Sequence, residues 1–255
     1  MFFALKGDNF NGNTFTKQAL ESGAKYVVID EKEHHISEAT ILVDDVLKTL
    51  QKLATYHREH LAIPIIALTG SNGKTTTKEL INAVLSEQYN TTATKGNLNN
   101  HIGVPLTLLD MNKTTQIGIV EMGANHINEI EFLCNLAKPD YGYITNFGKA
   151  HLEGFRSIAG VIKGKTELYN YLITNNKHVF LNADDDIQIE KLAEGKSFTE
   201  ANQSAEKIKY GFKIVGNELI LDNYLLTEMS SKYRNQNVEI YLYLPEGTKF
   251  KMDES

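Results

Sequence analysis

Residues 69–77 read Thr-Gly-Ser-Asn-Gly-Lys-Thr-Thr-Thr and follow directly on the apolar run 63–68. Glycines let a backbone approach a ligand closely, and the first turn of a helix presents unpaired N–H groups, so a strand, a glycine loop and a helix in this order are typical of a phosphate site. Lys74 would add a positive charge, and Thr75 would offer a hydroxyl to phosphate-bound magnesium. The loop therefore predicts a nucleoside triphosphate site. Leu68 stands where the general pattern has a glycine, so this is a shorter form of the loop.

The composition of the chain limits the classes of protein to which it can belong. The chain has 255 residues, of which 42% are hydrophobic and 23% charged, and this is ordinary for one large or two small globular domains. The net charge of −6 argues against non-specific nucleic-acid binding. Cys134 is the only cysteine, so neither an internal disulfide nor a cysteine-based metal site is expected. The sequence has no run of about 18 apolar residues, so no membrane span is expected.

The hydrophobic pattern changes twice along the chain. Residues 1–60 predict a small α/β domain, with strands at 2–5, 25–29 and 39–43 and helices at 16–22 and 46–60. In residues 61–192, predicted strands alternate with predicted helices. The strands are predicted at 64–69, 116–121, 140–145 and 178–182, and the helices at 74–88, 126–136 and 157–174. Residues 193–255 predict a helix over 193–207 and then exposed strands at 217–222 and 238–244. The predicted fold class is α/β: a central, mainly parallel P-loop sheet with helices on both faces, preceded by a small α/β domain and followed by a β-rich tail.

Polar residues stand where the predicted strands end, at the edge of a parallel sheet where ligands bind. Glu121 ends one strand and could reach a metal held by Thr75, although a surface or helix-capping acid is an equal alternative. His151 follows another strand and could be a ligand, a base or a surface histidine. Lys165 lies in a predicted helix, where a lysine is usually solvated. The polar segment 96–105 could grip a substrate or simply connect two elements.

Seven segments between residue 1 and about residue 190 share their order and spacing with one family. They are 2–7, 69–76, 97–105, 121–124, 145–146 with His151, 165–167 and 182–185. With these segments the chain resembles the Mur ligases, and the number of ordered segments argues against a chance similarity.

The resemblance implies a role for each matching residue. Lys74, Lys165 and His151 would be catalytic, and Lys165 would carry a carbamate that helps to hold a second magnesium ion. The magnesium ligands would come from Thr75, Glu121, His151 and Lys165. The ATP-binding residues would be Gly70, Ser71, Asn72, Gly73, Lys74, Thr75, Thr76 and Asn182, the last of them near the adenine. The muramoyl substrate would be held by Lys6, Gly7, Asn99, Asn100 and His101, with its uridine end near the first two.

The resemblance also implies an activity, that of an ATP-dependent amide ligase of peptidoglycan precursor synthesis. Such an enzyme would use ATP and Mg²⁺ to join D-alanyl-D-alanine to a UDP-N-acetylmuramoyl tripeptide through an acyl phosphate. It would be a cytoplasmic monomer with neither a nucleic-acid partner nor a membrane span. The arginine-bearing and Asp-x-Tyr-Asn-type motifs of the family's C-terminal domain are absent, so a truncated chain of uncertain activity is expected.

Other interpretations stay open at this point. A folylpolyglutamate synthase-like ligase shares the short loop, but such proteins usually place Gly-Ser after the loop lysine, whereas Thr75 and Thr76 follow it here. A non-catalytic nucleotide-binding or interaction module is the third possibility. Residues from about 187 to 255 match the Mur ligases poorly and resemble the β-rich tail of PspC-type envelope proteins, which would make the chain a fusion or a misjoined fragment.

Overall fold

A computed structural model of the chain describes residues 1–148, 152–155, 157–181, 187–192, 201, 205, 207–209, 212–215, 218–221 and 237–242. The described residues as far as Leu181 belong to one compact unit, and the strands between 187 and 242 belong to a second. None of the described helices combines the length and the apolar character that crossing a bilayer requires.

The first unit begins with a small parallel sheet. Its elements in chain order are β1 (Phe2–Phe3), β2 (Lys6–Gly7), β3 (Phe10–Asn11), α1 (Thr16–Glu21), β4 (Val27–Ile29), β5 (Thr40–Leu42) and α2 (Val46–Leu61). Strands β1, β4 and β5 pair in that order and all run parallel, whereas β2 and β3 form an antiparallel hairpin. Ala4, Val27 and Ile29 are fully buried and form the core of this sheet.

A larger sheet follows and carries the glycine loop. Its elements are β6 (Ile65–Thr69), α3 (Lys74–Ser86), β7 (Thr91–Ala93), α4 (Gly103–Asp110), β8 (Ile117–Glu121), α5 (Glu129–Ala137), β9 (Tyr141–Ile144), α6 (Leu152–Phe155), α7 (Ile158–Thr174) and β10 (His178–Phe180). The five strands pair in the order β10-β9-β6-β8-β7, all parallel. Along β6, Ile65 and Ala67 enter the core formed with α4, α5 and α7, whereas Ile66 lies beside α3. The predicted parallel sheet with helices on both faces is confirmed.

Two stretches of the larger sheet differ from the sequence prediction. Strand β7 is a three-residue Thr-Thr-Ala segment, too short to show a hydrophobic pattern. The polar segment 96–105 is not a loop throughout, because α4 begins at Gly103. Pro105 lies in the first turn of this helix, where its missing N–H is not needed.

Helix α5 begins at Glu129, three residues later than predicted. Asn128, just before it, has a positive φ of 72°. Glu167 of α7 accepts hydrogen bonds from the backbone N–H groups of Asn128, at 2.6 Å, and Glu131, at 3.0 Å. The start of α5 is therefore set by a carboxylate that lies far away in the sequence.

The second unit contains antiparallel pairs of strands. They are β11 (Ile187–Leu192), β12 (Phe212–Val215), β13 (Glu218–Leu221) and β14 (Asn237–Leu242). Strand β11 pairs with β14, and β12 pairs with β13. Strands β13 and β14 fall on the predicted strands, whereas β11 and β12 were not predicted. Most of the helix predicted over 193–207 lies outside the described residues, and the domain boundaries predicted at 60 and 192 stay predictions.

Arg58 of α2 connects three elements of the first unit. Its side chain is almost buried and donates to the backbone oxygens of Ala137 and Lys138, at the end of α5, both at 2.9 Å. The guanidinium also pairs with Asp140 at 2.8 Å, and the same Asp140 carboxylate oxygen accepts the backbone N–H of Ile65 at 3.0 Å. One partly buried ion pair thus joins α2 to the strands at the centre of the sheet.

We predict that Arg58→Ala lowers the free energy of unfolding by about 2–4 kcal/mol, because it leaves two helix-end carbonyls without a donor and removes one of the two cations of Asp140, the other being Lys177. Its neighbour Glu59 forms a surface ion pair with Lys138, and Glu59→Ala should cost less than about 1 kcal/mol. Urea unfolding followed by circular dichroism measures both variants. Equal losses would contradict the role given to Arg58.

Candidate functional site

The glycine loop between β6 and α3 has a backbone that only glycine adopts without strain at two positions. Gly70 has φ +144° and Gly73 has φ +74°, both in the range that disfavours side chains. A Cβ atom on Gly70 would also collide with the Thr145 hydroxyl. The first glycine therefore serves close packing as well as the turn.

The loop is fastened to the segment that follows β9. The Ser71 N–H donates to the Asn146 backbone oxygen at 3.0 Å, and the Ser71 hydroxyl donates to the Gly148 oxygen at 2.9 Å. The Asn72 N–H donates to Asn146 Oδ1 at 3.0 Å, and the Asn72 oxygen accepts the Thr145 hydroxyl at 2.6 Å. These bonds hold the loop in one shape from outside.

The N-terminus of α3 is open toward the loop. Its N-cap is Gly73, so no side chain caps the first N–H groups, which makes this helix end suitable for an anion. Lys74 Nζ curls back over the loop and donates to the oxygens of Gly70, at 2.9 Å, and Ser71, at 3.3 Å. Thr76 is exposed on the same first turn. The loop, the helix end and the lysine together form an arrangement that suits phosphate groups.

Glu121 lies at the end of β8 beside this site. Its side chain is almost completely buried, and its carboxylate accepts hydrogen bonds from the Thr75 hydroxyl, at 3.1 Å, and from Asn99 Nδ2, at 2.8 Å. Both partners are neutral, although the charge of Glu121 also acts on Lys74 at longer range. The structure brings Thr75 and Glu121 together, as the sequence suggested.

The loop before α4 is held by the same carboxylate. Besides its bond to Glu121, Asn99 accepts the Gly123 N–H at its backbone oxygen at 2.7 Å. Asn100 Oδ1 accepts the N–H groups of Ile102, at 3.0 Å, and Gly103, at 2.9 Å, and so caps α4. The backbone oxygen of the exposed His101 accepts a hydrogen bond from the Gln51 side chain. Asn99 thus belongs to the site, and Asn100 has a capping role.

Lys165 of α7 is not a surface lysine. Only 1% of it is exposed, its Nζ donates to the Ala124 oxygen at 3.3 Å, and it lies 5.4 Å from the centre of the Phe155 ring. Burial, helped by the charge of Lys74 and opposed by Glu129 and Glu167, lowers the pKa of Lys165 to about 8. Burial also lowers the pKa of Lys74, and Glu121 acts against this shift. The positive charges of Lys74 and Lys165 therefore act on the same part of the site.

The donor atoms fit magnesium better than a softer metal. Thr75 and Glu121 offer a hydroxyl oxygen and carboxylate oxygens, the hard ligands that Mg²⁺ prefers. The described residues hold no group of three or more His, Cys, Asp or Glu that could surround a metal. Mg²⁺ commonly takes one or two protein ligands and completes its shell with phosphate oxygens and water. The site thus fits magnesium that arrives with a nucleotide.

Some predicted site residues lie elsewhere or beyond the described residues. Lys6 and Gly7 form part of the β2–β3 hairpin, where Lys6 pairs with Asp30 at 3.1 Å and with Glu31 at 3.5 Å. Their link to a substrate stays a prediction. His151 and Asn182 lie outside the described residues.

Three contributors were not singled out from the sequence as site residues. Thr145 and Asn146 hold the glycine loop; they lie at the end of the predicted strand 140–145 and in one of the segments shared with the family, but no role was predicted for either. Phe155, which covers the Lys165 ammonium, gave no local signal, because an apolar residue in a helix normally indicates core packing.

Comparison with known proteins gives the family of the chain. The Mur ligase middle domain matches residues 68–247, and the chain therefore belongs to the Mur ligase family. This match includes most of the stretch that the sequence patterns had assigned to a tail of another origin.

The relatives share one name. A UDP-N-acetylmuramoyl-tripeptide–D-alanyl-D-alanine ligase of Bacillus subtilis is 45% identical over 174 residues, which are 68% of this chain and 38% of that protein. The ligase of the same name from Synechocystis is 39% identical over 231 residues, 89% of this chain and 50% of that protein. The chain thus spans about half the length of these curated relatives or less.

Solved structures agree with these relatives. MurF from Acinetobacter baumannii has a TM-score of 0.63 at 32% identity, over 74% of this chain and 47% of that one. MurF ligase from Thermotoga maritima in complex with ADP has a TM-score of 0.62 at 26% identity, over 86% of this chain and 53% of that one.

We predict that Lys165→Met stabilises the chain at about pH 7, by roughly 3 kcal/mol at most, because it removes a buried ammonium. The pKa of Lys165 is about 8 in the folded chain against an ordinary 10.5, so between these values the unfolded chain binds the extra proton. The free energy of unfolding of the unsubstituted chain therefore rises between about pH 8 and pH 10.5. The extra stability of Lys165→Met should disappear as the pH approaches 10.5.

Urea unfolding in carbon dioxide-free buffer, at about pH 7 and about pH 10, measures this difference. Lys163→Met, at an exposed position of the same helix, is the control and should show little change at either pH. An advantage of Lys165→Met that does not depend on pH would contradict the lowered pKa.

Proposed function

We propose that this chain is the ATP-binding and acyl-substrate-binding part of a ligase that joins D-alanyl-D-alanine to a UDP-N-acetylmuramoyl tripeptide. The observation that carries this proposal is the double contact of Glu121. Its carboxylate accepts a hydrogen bond from Thr75 of α3, the helix that follows the glycine loop, and another from Asn99 in the loop before α4. A nucleotide and a second substrate would therefore meet at one carboxylate, and the names of the relatives support the substrate class.

The nucleotide half of the site would be formed by the glycine loop. The open N-terminus of α3 and Lys74 would hold the phosphates of ATP. Thr75 and Glu121 would hold magnesium, which when bound neutralises phosphate charge. The ADP in the Thermotoga relative supports a nucleotide ligand. Asn182 near the adenine and His151 at the metal stay predictions from the resemblance, as do the monomeric state and the cytoplasmic location.

The reaction would have two steps. An oxygen of the terminal carboxylate of the tripeptide bonds to the γ-phosphorus of ATP while the bond from that phosphorus to ADP breaks, which gives an acyl phosphate. The amine of D-alanyl-D-alanine then attacks the acyl carbon, an amide bond forms, and phosphate and a proton leave. Lys74 would offset the repulsion between the anions, and Asn99 would keep Glu121 in place. Lys6, Gly7, Asn100 and His101 would contact the muramoyl substrate.

Lys165 would act after modification. With a pKa of about 8, about one in ten of its amines is neutral at pH 7, against about one in three thousand for an ordinary lysine. A neutral amine can attack carbon dioxide, forming an N–C bond and releasing a proton. The resulting carbamate would exchange a buried cation for an anion beside Lys74 and supply an oxygen ligand for a second magnesium ion.

The test of the function is the first step alone. The purified chain is incubated with ATP, Mg²⁺ and UDP-N-acetylmuramoyl tripeptide in the presence of hydroxylamine, which converts an acyl phosphate to a hydroxamate. We expect hydroxamate and ADP that depend on the tripeptide. Hydroxamate formed from a folate substrate instead would favour the folylpolyglutamate synthase alternative. ATP binding without hydroxamate from either substrate would favour a non-catalytic module.

We predict that Lys74→Ala weakens binding of ATP with Mg²⁺ at least tenfold, because it removes the charge that lies over the loop. Calorimetric titration measures the dissociation constant. Lys113→Ala, which removes an exposed lysine outside the loop, should leave the constant unchanged. A similar effect of both substitutions would point to the net charge of the chain rather than to the loop.

We also predict a carbamate signal in carbon-13 NMR spectra of the chain in labelled bicarbonate. The signal should vanish in Lys165→Ala and persist in Lys163→Ala, because Lys165 is buried and has a lowered pKa whereas Lys163 is exposed. Its intensity should fall when the pH is lowered from about 8.5 to about 6.5, as the amine becomes protonated. A signal that survives in Lys165→Ala would overturn the assignment.

A further inference from the structure

Lys78 is a fully buried lysine to which the proposed chemistry gives no role. None of its surface is exposed, although lysines are almost never buried so completely. It lies on α3, three residues after Thr75, and its Nζ donates to the Thr94 backbone oxygen at 2.6 Å. Nζ also pairs with Glu79 at 2.8 Å, and the Glu79 side chain is largely exposed. The ammonium is therefore directed at the backbone of Thr94.

Thr94 is a junction between the sheet and the site. It directly follows β7, is almost completely buried, and its N–H donates to the Ile119 oxygen of β8 at 2.9 Å. Its hydroxyl accepts the backbone N–H of Glu121 at 2.9 Å. The loop that contains Asn99 begins with the next residue. Any shift of Thr94 would therefore be transmitted to Glu121.

Helix α3 consequently approaches Glu121 by two routes. Thr75 contacts its carboxylate directly, and Lys78 holds the residue that accepts its backbone N–H. The direct route is a single hydroxyl on the exposed first turn of the helix, and it would break when Thr75 turns toward a metal. The second route lies wholly in the interior and does not depend on the ligand.

We propose that Lys78 is a positioning residue for magnesium: through Thr94 it holds Glu121 at the distance from Thr75 at which both can bind one ion. This inference rests on the proposed function, since it presupposes a magnesium ion bound with ATP. A charged donor makes a shorter and stronger hydrogen bond to a carbonyl than a neutral one does, and this accounts for an ammonium at a buried position.

The test is the magnesium dependence of ATP binding, because a lysine that served only the stability of the fold would not affect it. The dissociation constant of ATP is measured by calorimetry with Mg²⁺ and with EDTA, and the ratio is the magnesium gain. Lys78→Met keeps most of the volume and removes the donor. We expect its metal-free affinity to stay within about twofold, and its magnesium gain to fall about tenfold, as in Glu121→Gln. Lys95→Met, at the exposed neighbour of Thr94 that pairs with Asp110, should keep the full gain.

A second pair of variants tests the same route at Thr94. Thr94→Val removes the hydroxyl that holds Glu121, whereas Thr94→Ser keeps it. We expect the gain to fall in the first variant and to persist in the second. The double variant Lys78→Met with Thr94→Val should lose no more than the larger single loss, because residues that act through one contact are not additive.

The outcomes separate this inference from the function on which it rests. A chain that binds no ATP, or binds it without a magnesium gain, would overturn the proposed function and this inference together. If the unsubstituted chain shows a magnesium gain and Lys78→Met keeps it in full, the inference alone is overturned. If circular dichroism shows that Lys78→Met does not fold, the Thr94 pair decides: a gain kept in Thr94→Val overturns the route, and a gain lost there but kept in Thr94→Ser supports it.

Discussion

The buried carboxylate of Glu121 is the interaction on which the arrangement of the site depends. A charge removed from water needs hydrogen-bond partners, and here they come from elements far apart in the sequence: Thr75 of α3 and Asn99 of the loop before α4. Its backbone is held by Thr94, after a third element. Through its side chain and its backbone, Glu121 thus connects α3, the loop before α4 and the edge strand β7 at the end of β8, the place where ligands bind in parallel sheets.

The electrostatics of the site are those of a receptor for anions. Lys74 and Lys165 lie close enough that the charge of Lys74 lowers the pKa of Lys165, and burial shifts both in the same direction. Two partly desolvated cations repel each other, so bound phosphate, or conversion of one lysine to a carbamate, would relieve that repulsion. The repulsion between the two lysines would therefore favour anionic ligands.

Local patterns sufficed for the parts of the molecule that local physics determines. The apolar run before Gly70 predicted β6, and the glycines and Lys74 predicted the loop. The contact between Thr75 and Glu121 agrees with one of the two alternatives that the sequence left open for Glu121, because the ends of parallel strands meet at one sheet edge. The hydrophobic pattern could not reveal the start of α5, because the carboxylate of Glu167 comes from a different helix. It failed for Lys78 as well, since nothing in the sequence distinguishes a buried helix lysine from a solvated one.

The bonds from Thr145, Asn146 and Gly148 to the glycine loop bear on how the loop would bind. A loop that closes only around its ligand must lose conformational entropy at binding, which weakens affinity. Here the backbone of Ser71 and Asn72 is held by hydrogen bonds to the segment that follows β9, which fixes the loop that leads into α3. The strand ends therefore do more than carry side chains to one edge: they hold in advance the shape that the phosphate chain requires.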